Sequence, residues 1–230
     1  MPGENLTRAE AQERAELIEV ESYRVSLDLN RGTEVFRSIT EVRFDSRTAG
    51  AETFIDAITA KVHSVKLNGV ELNPSEVSDG TRIQLSNLQA KNLLEIEADC
   101  NYMTTGEGLH RFVDPVDGEV YLYTQFEVPD SRRMFAVFEQ PDLKATFEFN
   151  VSAPAHWQVV SNSTTPAAID LGDGNARWDF AATPRISSYI TALIAGPYRV
   201  YRDSLISSSG REVPLGVFCR ESLAEFMDAD

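Results

Sequence analysis

The sequence predicts a mostly β protein: a large antiparallel or mixed, sandwich-like sheet structure with one short helix at its amino terminus. Three observations carry that expectation. Apolar and polar residues alternate with a period of two through most of the chain beyond residue 20, the pattern of strands with one buried and one wet face. Asn-Gly and Asp-Gly dipeptides separate such runs, and they suit tight turns whose central residues need positive φ. A helix signal, a capping box, stands near the start.

The elements follow in order. Thr7 and Glu10 form the capping box, and alanines with Leu17 and Ile18 populate Arg8 to Glu19, so a short acidic helix is expected there. Tyr23 to Leu29 alternates apolar residues with Arg24, Ser26 and Asp28, and Val35 to Phe44 is rich in β-branched and aromatic residues. The two read as paired strands joined near Arg31-Gly32. Asn68-Gly69 lies between apolar residues of Lys61 to Leu72 and marks a hairpin. Leu94, Ile96, Ala98, Cys100 and Tyr102 alternate with Glu95, Glu97, Asp99 and Asn101, which gives one buried and one solvated face. Asp117-Gly118 turns the chain into a strand from Glu119 to Glu127. Further strands are expected near Thr146 to Ser152, Trp157 to Ser161, Ala176 to Phe180, Ile186 to Ile194, Tyr198 to Ile206 and Glu212 to Cys219. Glu221 to Met227 then begins a helical pattern, with Leu223, Phe226 and Met227 apolar.

Composition narrows the function classes. With 230 residues, 42% hydrophobic and 25% charged, the chain can bury a substantial core. A net charge of −15 without a Lys/Arg-rich stripe argues against a nucleic-acid partner. No apolar run approaches the roughly 20 residues that span a bilayer, so no membrane partner is expected. The polar start Met1-Pro2-Gly3-Glu4 has no signal-peptide core, which makes the cytoplasm the default location. Cys100 and Cys219 read as buried free thiols. No Gly-x-Ser-x-Gly elbow or P-loop is present, and His63, His110 and His156 stand far apart, without metal spacing.

The densest local chemistry lies in Tyr123 to Phe149. On an extended strand Tyr121, Tyr123, Gln125 and Glu127 share one face, which sets an amide and a carboxylate side by side. Pro129 and Asp130 end the strand, and Ser131 is expected to cap a short turn through Arg132, Arg133 and Met134. From spacing alone, an exposed polar face explains this pair better than a pocket wall does, and Arg132 and Arg133 read as surface ion-pair partners of Asp130.

The order Thr124-Gln125-x-Glu127, then Arg132 or Arg133, then Phe138-Glu139-Gln140-Pro141-Asp142-x-Lys144-Ala145 resembles the signature segment in the amino-terminal domain of aminopeptidase N type zinc metallopeptidases. Tyr23-x-Val25-x-Leu27-x-Leu29 and Tyr189-Ile190-x-Ala192-x-x-Ala195-Gly196-Pro197-Tyr198 resemble that family's opening strand and a late strand entering a glycine turn. Phe135-Ala136 and Glu139 depart from it, where many relatives have proline after the phenylalanine and aspartate.

The resemblance implies that Glu127 contacts the free amino group of a peptide substrate and that Gln125 lines the same subsite; Tyr123, which shares their strand face, is expected to wall the pocket. It also implies a zinc cofactor held by a helical His-Glu-x-x-His motif. That motif and the family's Gly-x-Met-Glu-Asn motif are both missing from residues 1–230. The expectation is therefore a domain without catalytic or metal-ligating residues of its own, whose partners are peptides with a free amino terminus and a catalytic domain that follows it. Residues 1–19 are expected to form the helix and lead-in, 20–219 the β domain, and 220–230 the start of a helix toward that catalytic domain. A stand-alone β-sandwich module that binds a partner protein is the alternative that composition and periodicity favour.

Overall fold

Thr7 Oγ1 accepts the backbone N–H of Glu10, and the Glu10 carboxylate accepts the N–H of Thr7 at 2.8 Å, so the capping box starts α1 (Arg8–Leu17) as expected. This is a computed structural model, and it describes residues 5–228. Residues 1–4, which include the polar start, and residues 229–230 lie outside it. The helix stops at Leu17 rather than Glu19 because Ile18, 1% exposed, already belongs to β1 (Ile18–Asp28).

The chain continues through β2 (Val35–Ser46), β3 (Thr53–Asp56), β4 (Lys61–Leu67), β5 (Val70–Leu72), the one-turn helix α2 (Pro74–Val77), β6 (Arg82–Leu85), β7 (Lys91–Asn101), β8 (Gly108–Val113) and β9 (Val120–Gln125). A 3-10 turn at Ser131–Arg133 precedes β10 (Thr146–Pro154), β11 (Gln158–Ser161), β12 (Ile169–Gly172), β13 (Asn175–Asp179), β14 (Leu193–Gly196), β15 (Arg199–Ile206) and β16 (Glu212–Cys219). Asn68 and Gly69 take φ of 53° and 81° between β4 and β5, the turn their types predict.

An eight-stranded sheet runs β12-β13-β10-β1-β2-β7-β4-β5 and a four-stranded sheet runs β11-β14-β9-β8. All pairings are antiparallel except β1 with β10, where Tyr23 is in register with Phe147. The inward sides of both sheets share one core. It takes Val25, Phe36, Phe44, Leu94, Phe147 and Phe149 from the large sheet and Leu109, Leu122, Val159 and Leu193 from the small one. The protein is thus mostly β and layered, as its alternation predicts.

Three segments differ from the sequence reading. Ile186 to Ile194 is not a strand: a 3-10 turn occupies Ser188–Ile190, and β14 starts only at Leu193. Glu221–Phe226 is a 3-10 helix, with Phe226 74% exposed. The short turn expected after Asp130 is present at Ser131–Arg133, but the segment it opens, residues 131–140, is mostly buried. Met134, Phe135, Val137 and Phe138 are each no more than 1% exposed, and Phe135 packs edge-on against Tyr23, Phe126, Phe147 and Phe149. A buried irregular segment must find partners for its backbone polar groups. Val137 exchanges two bonds of 2.9 Å with Asp56, Ile58 N–H donates to the Arg132 carbonyl at 2.8 Å, and Phe138 N–H donates to Tyr23 Oη at 3.1 Å.

The same region holds a buried ionic network. Arg14 Nη1 lies 2.7 Å from Asp56 Oδ2, with both side chains 1% exposed, and Arg82 Nη1 lies 2.6 Å from Glu10 Oε1. The Phe54 ring lies near both guanidinium groups, 4.9 Å from Arg14 and 4.1 Å from Arg82. These contacts fasten α1 to the β3–β6 pair, and Arg14 Nε, which donates to Gln140 Oε1 at 3.1 Å, ties them to the segment that follows β9.

Candidate functional site

β9 sits inside the four-stranded sheet, with β8 on one side and β14 on the other. Tyr123 is in register with His110 of β8 and Ile194 of β14, and Gln125 with Gly108. Leu122 points into the core, whereas Tyr123 and Gln125 are exposed on the outer face. Tyr121 shares that face yet is 1% exposed, because Tyr198 covers it edge-on at 4.9 Å. Its hydroxyl donates to Asp117 at 2.8 Å and accepts the N–H of Glu221 at 3.0 Å, and burial pushes it up to about 12.

The strand ends at Gln125, so the alternation that placed Glu127 beside it does not extend that far. The reason is Phe126: it is pulled into the core against Phe135, and the chain turns through residues 127–130. Gln125 and Glu127 are joined differently. The Gln125 Oε1 accepts the backbone N–H of Glu127 at 2.7 Å, closing a two-residue loop. The Glu127 side chain is exposed, and its carboxylate forms no ion pair among the described residues. The neighbouring Thr124 serves the frame, its Oγ1 accepting the N–H of Leu193 at 2.9 Å.

Tyr123 packs against His110 with ring centroids 4.7 Å apart and the planes tilted by 32°. His110 Nδ1 accepts the N–H of Gly106 at 3.0 Å, so the neutral ring carries its proton on Nε2. On its other side Tyr123 lines a groove of about 450 Å³ together with Phe112, Tyr121, Tyr198, Phe218 and Arg220. Gln125 and Glu127 do not line this groove. Burial pushes the Tyr198 phenol up to about 12.

The turn after Glu127 departs from the sequence reading twice. Ser131 does not cap it. Asp130 stands at the cap position without a side-chain capping bond, and the Ser131 hydroxyl donates to Glu139 instead. The two arginines also part company. Arg133 is the surface partner expected, 2.7 Å from Asp130 and 3.5 Å from Glu107, but Arg132 is 3% exposed and donates to Asn5 Oδ1 at 3.0 Å.

Sequence reasoning missed Glu139 as a structural centre. It is 4% exposed and accepts from Ser131, from the Arg132 N–H at 2.9 Å and from the Ser188 hydroxyl at 2.5 Å. Burial, joined by Asp56 nearby, pushes its carboxyl above the usual range, against the pull of its three donors. The one local signal was its place directly after the apolar run Met134 to Phe138.

No group of three or more His, Cys, Asp or Glu side chains among the described residues could hold a metal ion. His63 pairs with Asp99 at 2.7 Å, and His156 lies against Trp157. The described residues therefore do not fit a zinc site.

The family described as the Peptidase M1 N-terminal domain matches residues 19–190. The chain belongs to that family. An Aminopeptidase N from Streptomyces lividans is 56% identical over 233 residues, which cover all of this chain and 26% of the relative. An Aminopeptidase N from Acetobacter pasteurianus is 38% identical over 104 residues, covering 45% of this chain and 28% of the relative. The M1 domain described here thus spans about a quarter of the length of these curated relatives. Among solved structures, Legionella pneumophila aminopeptidase A in complex with aspartic acid matches with a TM-score of 0.78 at 18% identity, over 90% of this chain and 25% of that one. At that identity the match shows the fold alone. No helix among the described residues is long and apolar enough to cross a membrane.

Proposed function

We propose that this M1 amino-terminal domain works as part of a zinc-dependent aminopeptidase that releases amino-terminal residues from peptides, with Glu127 anchoring the substrate's free amino group. The zinc of such an enzyme would be held by residues outside this chain. Residues 20–219 would form the β domain, and 220–230 would lead toward the catalytic domain.

The observation that carries the reading is the state of Glu127. Its backbone N–H is held by Gln125 at 2.7 Å, while its carboxylate is exposed and makes no ion pair among the described residues. A carboxylate so placed can accept two or three N–H bonds from an ammonium group, and charge assistance makes such bonds strong. An exopeptidase must count from the chain end. A fixed negative charge does this, because it rewards a free amino terminus and rejects a peptide that has none there. Tyr123, two residues before Gln125 on the same face of β9, would wall the pocket, and Gln125 restricts the turn.

The test is kinetic, on the full-length protein. Removing one partner of a desolvated, hydrogen-bonded charge pair costs about 2 to 5 kcal/mol. Glu127→Ala should therefore lower kcat/KM for free-amino substrates by roughly 30-fold to several thousandfold. Zinc content should be unchanged. Amino-acetylated substrates should be poor for the unaltered protein and lose little more in the variant. An unchanged kcat/KM on free-amino substrates refutes the anchor.

A further inference from the structure

Anchoring an amine makes no direct use of Glu139, yet its two oxygens face two separate parts of the chain that frame Glu127. Oε2 accepts the Ser131 hydroxyl and the Arg132 N–H, which open the 3-10 turn directly after residues 127–130. Oε1 accepts the hydroxyl of Ser188, which opens the 3-10 turn leading into β14, the strand paired with β9 at Tyr123. Its own backbone N–H donates to Asp56 Oδ2 at 3.1 Å, the oxygen that also pairs with Arg14. The clamp is thus fixed to a buried ion pair.

The turn itself has few other restraints. The β9 ladder stops at Gln125, so no sheet bond reaches residues 127–130. What remains is the Gln125 bond to Glu127, a 3.3 Å bond from the Asp130 N–H to the Phe126 carbonyl, the Phe126 ring in the core, and Arg133, whose N–H donates to the Asp130 carbonyl at 3.1 Å and whose Nε donates to the Asp130 carboxylate at 2.7 Å. The first three restrain the amino-terminal side, whereas Arg133 belongs to the same 3-10 turn as Ser131 and Arg132 and moves with it. The carboxy-terminal side depends on how Ser131 and Arg132 are held. Burying a carboxylate is expensive, and packing alone would be served as well by an apolar side chain. Displacing a binding group by about 1 Å is enough to cost a large factor in rate or affinity.

We propose that Glu139 is a positioning residue for the substrate amine: by gripping Ser131 and Arg132 on one side and Ser188 on the other, it fixes the turn that presents the Glu127 carboxylate. The proposal rests on the reading of Glu127 as the anchor.

The experiment is steady-state kinetics of the full-length protein on a free-amino aminoacyl arylamide, with folding checked by thermal melting. Glu139→Ala should raise KM about tenfold or more while kcat changes by less than about threefold. Glu139→Gln keeps an acceptor toward Ser131 and Arg132 and should bring KM back to within about threefold of the unaltered value. In a Glu127→Ala background, Glu139→Ala should change kcat/KM by less than about twofold, because a residue acting only through the anchor has nothing left to position. Full additivity in the double variant overturns the proposal, as does an unchanged KM in folded Glu139→Ala. If Glu139→Ala does not fold, Ser131→Ala replaces it. A KM rise of about threefold, non-additive with Glu127→Ala, then supports the role, and its absence overturns it. If Glu127→Ala alone leaves kcat/KM unchanged, the anchor fails and the role of Glu139 fails with it. A loss in Glu127→Ala with none in Glu139→Ala overturns only the positioning role.

Discussion

Replacing Glu10 by Gln removes a charge that three donors share. The Glu10 carboxylate accepts the N–H and the hydroxyl of Thr7, each at 2.8 Å, and Nη1 of Arg82 at 2.6 Å. The bond from Arg82 is the largest cause that holds its carboxyl down at about 2, from an ordinary 4.5. At about 1.4 kcal/mol per pH unit, that depression amounts to about 3 kcal/mol of native-state stability, a ceiling because the side chain is 23% exposed. The sign follows from the lowered value. The unfolded chain binds the proton more readily, so the contribution is complete above about pH 5 and disappears as pH falls toward about 2. Glu10→Gln also leaves the Arg82 guanidinium, 2% exposed, with Asp56 at 4.0 Å as its remaining ion-pair partner. Urea unfolding of both proteins at several pH values between 7 and 2 checks this. The variant should be less stable by about 2 to 3 kcal/mol at pH 7, and the two should converge at pH 2. A gap under about 0.5 kcal/mol at pH 7, or one that does not narrow with acid, refutes the reasoning.

Two further outcomes concern the frame of the site. Gly108 lies opposite Gln125 with φ of +57°, and a Cβ there would meet Arg133 Cβ at 2.8 Å, so Gly108→Ala should cost about 1 to 3 kcal/mol in urea unfolding. Burial pushes the Cys100 thiol up to about 12, so a thiol reagent at pH 8 should leave Cys100 unmodified in the folded chain and label it after denaturation, as mass spectrometry can show.

What the sequence made legible was what depends on neighbours along the chain. The Thr7–Glu10 box, the Asn68-Gly69 turn and the alternation of Leu94 to Cys100 are local rules, and the structure follows them. Glu212 to Cys219 matches β16 residue for residue. The departures come from distant partners. Ile186 to Ile194 has β-rich composition, but Ser188 is drawn to Glu139, 49 residues away, and the segment forms a 3-10 turn. Glu127 leaves the strand because Phe126 is captured by Phe135. Nothing in the spacing of Arg14, Asp56 and Arg82 announces that tertiary pairing will bury three charged side chains together. The alternation puts Tyr123 and Gln125 on one face of β9, as the structure does, whereas the side-chain-to-backbone link from Gln125 to Glu127 could not be read from alternation.

The parallel pairing of β1 with β10 also fixes an order of events in synthesis. Ser22 must wait for Thr146, roughly 120 residues later, before that edge of β1 can be satisfied. At about 5 to 20 residues per second, the interval is on the order of 6 to 24 s. Through it β1 can pair with β2, yet its other edge and the apolar faces of Val25 and Leu27 stay open, the kind of surface that recruits foreign strands. The segment from Tyr123 to Gln140 is translated within that interval, before β10 joins β1 and brings Phe147 and Phe149 to the aromatic cluster around Phe135. The nascent chain is therefore most in need of chaperone protection after its first hairpin has formed and before its tenth strand appears.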